Sequence, residues 1–196
     1  AFPEPTLFPL DALNRNLASS GRKMGPDTLL DNLPPGSESL RRLIAQRYIQ
    51  QGMSLTHDDI VITSGALEAL NLSLQAVTQP GDIVVVESPT FYGALQAIER
   101  LGLKAIEVRV DAKKGHSLTQ LESLFEQHDV KACWLMTNFH NPTGTSLSDE
   151  EKHRVVDLAN QHDVYLIEDD VYAELYFGEK KPTSLKSFDT HERVLH

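Results

Sequence analysis

The sequence predicts an α/β domain with a mostly parallel sheet and helices on both faces. Two observations predict it: short β-branched runs recur along the chain, and segments with helical apolar spacing separate them. The composition is that of a globular domain, with 196 residues, 40% of them hydrophobic and 23% charged. A chain of this length can bury a sizeable core.

The first 36 residues are rich in proline and show little periodicity. They predict an extended N-terminal arm with one short helix near residues 10–18. The remainder, 37–196, is predicted to be one large domain that is incomplete at its C-terminus. Its first helix is expected over 37–51, with Leu40, Leu43, Ile44 and Tyr48 on one apolar face.

Strands and helices then alternate along the chain. Strands are predicted over 60–63, 83–87, 105–110, 132–137 and 164–168. Helices are predicted over 67–77, 92–101, 118–127 and 149–161. Arg193 to His196 reads as the start of a further strand. This βαβ order is typical of a parallel sheet covered on both faces.

The charge distribution argues against a nucleic-acid-binding surface in this segment. The formal charge is −10 and the pI is near 5.2, whereas phosphate contacts need clustered Lys and Arg. Arg41, Arg42 and Arg47 are spaced like the solvated face of a helix. The single cysteine, Cys133, is predicted to be a buried strand residue, so no disulfide can form within the chain.

Targeting signals are not apparent in the sequence. It contains no signal-peptide pattern and no apolar run long enough to cross a bilayer. A cytoplasmic protein without membrane contact is therefore expected. The opening residues look like a segment of something longer.

Polar motifs follow the predicted strands, at the sheet edge where ligands bind in α/β folds. Thr63-Ser64-Gly65-Ala66 joins a strand to a helix, and amides at a helix N-terminus favour a phosphate; the same sequence also suits a simple turn. Phe91 follows Glu87-Ser88-Pro89 and could instead be a core aromatic. Asn141-Pro142-Thr143-Gly144 is in itself a good turn.

The last motif is Glu168-Asp169-Asp170-Val171-Tyr172. Acidic residues after a strand are also found in metal or phosphoryl-transfer sites, so that alternative stays open for this motif alone. Taken in order, the motifs resemble pyridoxal-phosphate (PLP) enzymes of fold type I, the aspartate aminotransferase-like group. The resemblance covers essentially the whole chain.

The resemblance implies how the cofactor would be bound. Ser64, Gly65 and Ala66 would hold the phosphate, and an aromatic residue would lie on the pyridine ring. The Pro-x-aromatic spacing selects Phe91 for that role, with Tyr92 as the second candidate.

Hydrogen bonds to the ring complete this implied site. Asn141 and Tyr172 would bond the 3′-oxygen from two sides. Asp169 would keep the pyridine nitrogen protonated, which makes the ring an electron sink. Asp170 would form structural hydrogen bonds instead.

Two departures from the family pattern stand out. Asp31 occupies the position of a tyrosine that in many relatives reaches the neighbouring subunit's phosphate. The lysine that holds the aldehyde as a Schiff base is expected beyond His196, so no catalytic residue is assigned within this chain. Lys180, Lys181 and Lys186 lie in a polar loop and are predicted to be surface lysines.

No metal site is predicted from the histidines. None forms a paired helical motif, and His140, His153 and His162 are expected in loops or on helix surfaces. Thr137 stands where related sequences commonly carry proline, a departure that we expect to be tolerated.

Two classes of function follow from the resemblance. Phe2-Pro3-Glu4-Pro5 resembles the opening of the aminotransferase-like domain of MocR-type transcriptional regulators, a branch of the GntR group. Such a domain would bind PLP and an amino acid or amine, form a homodimer, and reach DNA only through a preceding domain. The alternative is a free-standing amino acid aminotransferase, and a third hypothesis is a carbohydrate- or nucleotide-binding domain without PLP.

Overall fold

The computed structural model describes residues 4–26, 28 and 33–196. The chain forms two compact units, Ala1–Arg47 with Leu55–Ile62 and Tyr48–Ser54 with Thr63–His196. Asp31 lies outside the described residues, and the division of the chain at residue 36 remains a prediction.

The described helices and strands follow the predicted alternation closely. The α-helices are α1 Leu10–Lys23, α2 Glu38–Gln50, α3 Ala66–Val77, α4 Tyr92–Arg100, α5 Leu118–Gln127 and α6 Asp149–His162. The strands are β1 Ile83–Ser88, β2 Lys104–Asp111, β3 Gly115–His116, β4 Val130–Leu135, β5 Tyr165–Glu168 and β6 Val194–Leu195. Short 3₁₀ helices lie at Pro5–Leu7, His57–Asp59 and Leu185–Phe188.

The sheet lies in the second unit and has the order β3-β2-β1-β4-β5-β6. All neighbouring strands pair in parallel except β2 and β3, which pair antiparallel at one edge. The order reverses between β1 and β4, and in such sheets ligands bind outside the carboxyl ends of the strands at that point. The predicted mostly parallel sheet is confirmed.

Two apolar clusters show that helices cover both faces. Successive strand residues point to opposite faces, and Val85 belongs to one cluster while Val84 and Val86 belong to the other. The Val85 cluster packs against α5 and α6, and the other packs against α3 and α4. Cys133 is fully buried in the first cluster, as predicted.

The predicted strand at 60–63 is wrong. Ile60 has extended φ and ψ of −118° and 129°, but the N–H of Ile62 donates to the carbonyl of Pro35 at 2.9 Å. An extended segment becomes a strand only when a ladder of such bonds forms, and the structure assigns none to these residues.

The β4 prediction, 132–137, is displaced by two residues because the strand ends at Leu135. The N–H of Met136 donates to the side chain of Glu87, and the hydroxyl of Thr137 donates to Glu168 Oε1. After Leu135, the side chains of Glu87 and Glu168 therefore accept hydrogen bonds where a continuing strand would pair with backbone carbonyls. Thr137 is fully buried, and its hydroxyl has a hydrogen-bond partner, so the fold accommodates this polar residue.

In the first unit, α1 begins where predicted but continues to Lys23, five residues beyond the predicted end at 18, and buries none of its residues. Arg41 of α2 is buried, contrary to the predicted solvated face. Its guanidinium donates to the carbonyls of Gly36 at 3.1 Å and His57 at 2.5 Å.

The predicted apolar face of α2 is therefore wrong in part. Leu40 and Leu43 are exposed, whereas Arg41 and Ala45 are buried. None of the helices within 4–26, 28 and 33–196 has the length and apolarity needed to span a membrane.

Candidate functional site

A cavity of about 360 Å³ opens in the second unit at the carboxyl ends of β1, β4 and β5. This volume is in the range of about 300–1,000 Å³ that is typical of small-molecule pockets. Its lining residues are Ser64, Gly65, Ala66, Leu67, Glu68, Leu70, Phe91, Met136, Asn141, Asp169, Val171 and Tyr172. All the residues that the sequence predicts as cofactor-binding are among them.

The N-terminus of α3 forms one wall. Gly65 caps the helix with φ 134° and ψ 169°, a conformation that side chains disfavour, and a Cβ here would meet open space. The amides of the first helical turn have no carbonyl partner within the helix and carry partial positive charge. Gly65 and Ala66 therefore present a potential anion site to the cavity.

Glu68 changes the charge and the free donors of that wall, a role that the sequence did not indicate. Its Oε2 accepts a hydrogen bond of 2.5 Å from the N–H of Ser64, so this amide already has a partner. The carboxylate lines the same cavity, and its negative charge offsets part of the positive charge at the helix N-terminus. An anion bound here would rest chiefly on the Gly65 and Ala66 amides and the Ser64 hydroxyl.

Phe91 forms a second wall at the residue before α4. Gly93 makes room for its ring: a Cβ built on Gly93 would lie 2.4 Å from Phe91 Cε1 and 2.9 Å from Leu67 Cδ2. Tyr92, the second candidate, is 68% exposed and is not among the lining residues. The structure thus brings Phe91, and not Tyr92, to the cavity.

Asn141 reaches the cavity from a tight turn that follows β4. The turn is closed by backbone bonds from Gly144 N–H to the His140 carbonyl at 2.6 Å and from His140 N–H to the Thr145 carbonyl at 2.8 Å. These bonds fix the backbone on either side of Asn141. The turn therefore fixes the backbone that carries the Asn141 side chain.

Asp169 directly follows β5, and its N–H donates to the carbonyl of Leu135 at 2.9 Å. Burial raises the pKa of its carboxyl; the N–H of Val171 opposes this by hydrogen bonding, and the Glu87 and Asp170 carboxylates raise the pKa further. A cation bound beside Asp169 would stabilise its ionised form. Tyr172, on the same loop, lines the cavity beside it.

Asp170 is engaged elsewhere, as the sequence predicted. Its Oδ1 accepts from the Asn138 amide at 2.8 Å, and its Oδ2 lies 3.3 Å from His196 Nε2. The bond from Asn138 ties the loop after β5 to the loop after β4, and the contact with His196 ties it to the residue after β6.

The histidine and lysine predictions hold in part. His153 is exposed and His162 half-buried on α6. His140 lies in a loop, as predicted, but is only 1% exposed and contacts the buried Glu87. Lys180 is exposed, whereas Lys181 and Lys186 are half-buried and paired with Glu174 and Asp189. Among the described residues, no lysine lines the cavity.

A larger groove of about 540 Å³ lies beside β2, lined in part by Glu107, Arg109, Asp111 and Gln120. Its charges are mixed. The Gln120 side chain is already bonded to the backbone of Arg109 and Glu107. None of the predicted site residues reaches it, so the smaller cavity is the candidate site.

The fold and the cavity define a class, the fold type I architecture of PLP-dependent transferases. Residues 14–195 match the family model described as aminotransferase class I and II, and the chain belongs to that family.

Relatives include both regulators and enzymes. An HTH-type transcriptional regulator of Escherichia coli (strain K12), YdcR, is 57% identical over 196 residues, which are 100% of this chain and 42% of the relative. An archaeal alanine:glyoxylate aminotransferase has a TM-score of 0.88 at 28% identity, over 98% of this chain and 48% of that one.

A third similar protein is LysN, an α-aminoadipate aminotransferase from Thermus thermophilus, complexed with N-(5′-phosphopyridoxyl)-L-leucine. Its TM-score is 0.84 at 28% identity, over 95% of this chain and 46% of that one. The chain thus spans somewhat less than half the length of these proteins.

Proposed function

We propose that this chain forms the greater part of the PLP-binding domain of a MocR-type transcriptional regulator, which binds PLP together with an amino acid or amine. The observation that carries the proposal is the convergence of five kinds of group on one cavity: helix amides, a carboxylate, an aromatic ring, an amide and a phenol. The 57% identity to a regulator favours this function over a free-standing enzyme.

The donor set fits the cofactor group by group. A phosphate suits the amides at Gly65 and Ala66, and the ring suits the space beside Phe91. Asn141 and Tyr172 would donate to the 3′-oxygen, and Asp169 would hold a proton on the pyridine nitrogen. When bound, PLP supplies an electron-withdrawing ring that stabilises negative charge on an amino compound.

The free-standing aminotransferase remains the second candidate, favoured by the similarity to solved aminotransferases. The intact protein decides between them. Sequence-specific DNA binding that responds to PLP or an amine supports the regulator. Conversion of bound PLP by an amino acid without DNA binding supports the enzyme.

The same proposal includes a homodimer, contact with DNA through a preceding domain, and a cytoplasmic location. The first two rest on the family resemblance and the regulator relative. The location rests on the expectation drawn from the sequence. Size-exclusion chromatography with light scattering on the intact protein tests the dimer.

Pyridoxamine 5′-phosphate (PMP) should bind the 196-residue chain with a stoichiometry of one. PMP is the suitable probe because it carries an amine and cannot form imines with surface lysines. The single tryptophan, Trp134, is buried in β4 close to Met136, so quenching of its emission by the bound ring reports binding.

Pyridoxamine without the phosphate is the matched control and should bind at least about tenfold more weakly, because it forgoes the charged contact with α3. Equal affinity for both compounds, or no saturable quenching by PMP, would contradict the proposal. Borohydride treatment with PLP provides a second arm. Stoichiometric trapping on one lysine would contradict the expectation that the Schiff-base lysine lies beyond His196.

Gly93→Ala should weaken PMP binding by about tenfold. The added methyl group cannot lie 2.4 Å from Phe91, so the ring must rotate out of its place in the cavity wall. The PMP titration measures the effect. Gly178→Ala is the control, since a Cβ there has its nearest neighbour at 4.0 Å, and its affinity should match the unsubstituted chain.

A further inference from the structure

Three buried titratable side chains, Glu87, His116 and His140, lie together behind the cavity. Glu87, in β1, is fully buried, and His116 and His140 are 8% and 1% exposed. Glu87 Oε1 lies 2.5 Å from His116 Nε2, and Glu87 Oε2 lies 3.2 Å from His140 Nε2. They do not constitute a metal-binding group among the residues that the structure describes.

Glu87 also reaches the backbone of the cavity wall. Its Oε2 accepts a hydrogen bond of 2.9 Å from the N–H of Met136, and Met136 lines the cavity. A buried carboxylate is stable when several donors surround it. Glu87 therefore joins β1 to the exit of β4 and to the turn that carries Asn141.

The neighbours of His140 define which of its nitrogens carries the proton. His140 Nδ1 lies 3.4 Å from the N–H of Thr143 and 2.8 Å from its hydroxyl. A backbone N–H can only donate, so Nδ1 accepts and the proton lies on Nε2. Nε2 is buried without an aligned hydrogen bond, and Glu87 Oε2 is the carboxylate oxygen that it contacts.

We propose that Glu87 is a positioning residue for the cofactor pocket: it holds His140 and Met136 in place and so fixes the turn that presents Asn141. The inference rests on the proposed function, because it assigns Asn141 to the cofactor. Glu87 is not among the lining residues, and its hydrogen bond to the Met136 N–H links it to the cavity wall. Loss of its side chain would leave the Met136 N–H without its buried acceptor and would remove the carboxylate oxygen that His140 Nε2 contacts.

The charge of Glu87 opposes cofactor binding through Asp169, whereas its hydrogen bonds favour cofactor binding through the Asn141 turn. Burial raises the pKa of Asp169, and the Glu87 carboxylate adds to that rise. Neutralising Glu87 while keeping its shape would therefore favour ionised Asp169, the form that the cofactor requires. Removing the hydrogen bonds of Glu87 would instead make the Asn141 turn less ordered.

Glutamine separates these two effects. With its carbonyl in the place of Oε2, it still accepts from Met136 N–H and faces His140. Its amide then donates to His116 Nε2, provided that His116 carries its proton on Nδ1. That nitrogen is buried with no hydrogen-bond partner in the described chain, so the change of tautomer leaves an unpaired N–H there, a cost that falls on stability and not on the Asn141 turn. Leucine has similar size and removes all these bonds.

The test compares Glu87→Gln and Glu87→Leu by PMP titration of the 196-residue chain. Glu87→Leu should weaken binding by about tenfold, and Glu87→Gln should stay within about threefold of the unsubstituted chain. In an Asn141→Ala background the Glu87→Leu effect should fall below about twofold, because both changes disable the same contact. Equal losses for Gln and Leu, or an undiminished Leu effect in that background, would overturn the inference.

A second readout needs no cofactor. Hydrogen exchange of the His140 and Gly144 amides, which close the turn, should be faster in Glu87→Leu and unchanged in Glu87→Gln. Unchanged exchange in Glu87→Leu would refute the positioning role even if PMP does not bind, so the two failures are distinguishable. If Glu87→Leu does not fold, Glu87→Met, which also lacks the carboxylate, replaces it in both measurements, with unchanged exchange again refuting the role.

Discussion

Asp169→Asn is expected to weaken PMP binding by about 30- to 5,000-fold and to raise the thermal stability of the cofactor-free chain. The carboxylate is partly buried, and burial raises its pKa because few groups compensate its charge. A protonated pyridine nitrogen would supply the missing partner. Truncating one member of a buried charge pair typically costs about 2–5 kcal/mol of binding, which is the basis of the expected loss.

The stability effect has a definite pH dependence. A carboxyl whose pKa is raised on folding stabilises the fold below its unfolded pKa of about 3.8, and that contribution is lost as the pH rises through the higher folded value. Asparagine does not titrate and still accepts from the Val171 N–H. The variant should therefore melt like the parent at pH 3.5 and about 2 °C higher at pH 8.

Asp170→Asn is the matched control on the same loop. Its carboxylate accepts from Asn138 and does not line the cavity, so the variant should keep PMP affinity within about threefold and melt at a lower temperature. Calorimetry and the Trp134 titration measure both quantities. Tight PMP binding by Asp169→Asn, or weak binding by Asp170→Asn, would mean that the roles of the two aspartates have been exchanged or misassigned.

The secondary structure was predictable where apolar periodicity is strong and local. Helix α5 has the predicted bounds, β1 is longer than predicted by one residue at its end, and β2 is longer by one residue at each end. The segment 60–63 was not predictable in this way, because its β-branched residues favour extended backbone but carry no information about a pairing partner. The end of β4 depended on acceptors at Glu87 and Glu168, which are distant in sequence.

The cavity residues were predictable because each stands in a short motif at the end of a strand or the start of a helix. The residues behind them were not. Glu87 is visible in the sequence as an acid that ends an apolar strand, yet nothing local links it to His116 or His140. Arg41 shows the same limit, since helical spacing predicts solvent exposure but cannot reveal the carbonyls of Gly36 and His57.

Lys152 illustrates that limit most clearly, and its substitution should have the largest effect on folding. It lies on α6 among charged residues typical of a surface, yet it is 1% exposed. Its Nζ donates to Asn138 Oδ1 at 2.7 Å and to the Thr183 carbonyl at 2.6 Å. Burial lowers its pKa, while nearby carboxylates, Glu168 first among them, act to raise it.

Lys152→Met should lower the free energy of unfolding by about 3 kcal/mol. Methionine fills nearly the same space but leaves the buried Asn138 Oδ1 without a donor, which costs about 1–3 kcal/mol, and leaves the Thr183 carbonyl with only the 3.3 Å bond from the Asn138 amide. It also removes a positive charge near Glu168 and Asp170. Urea unfolding monitored by circular dichroism measures the change. Lys131→Met is the control, because Lys131 forms an exposed pair with Asp129 and should cost less than about 1 kcal/mol.

Lys152→Gln tests whether the hydrogen bonds or the charge of Lys152 matter more. Glutamine keeps two N–H donors for Asn138 and Thr183 but brings no charge. A loss of stability about half that of the Met variant would assign the larger share to hydrogen bonding, whereas equal losses would assign it to the charge or to the longer reach of lysine. Because Asn138 also donates to Asp170, either variant loosens the link between the loops that carry Asn141 and Asp169. PMP affinity should therefore fall in both variants, and more in Lys152→Met than in Lys152→Gln. Unchanged affinity in Lys152→Met would show that these loops keep their positions without Lys152.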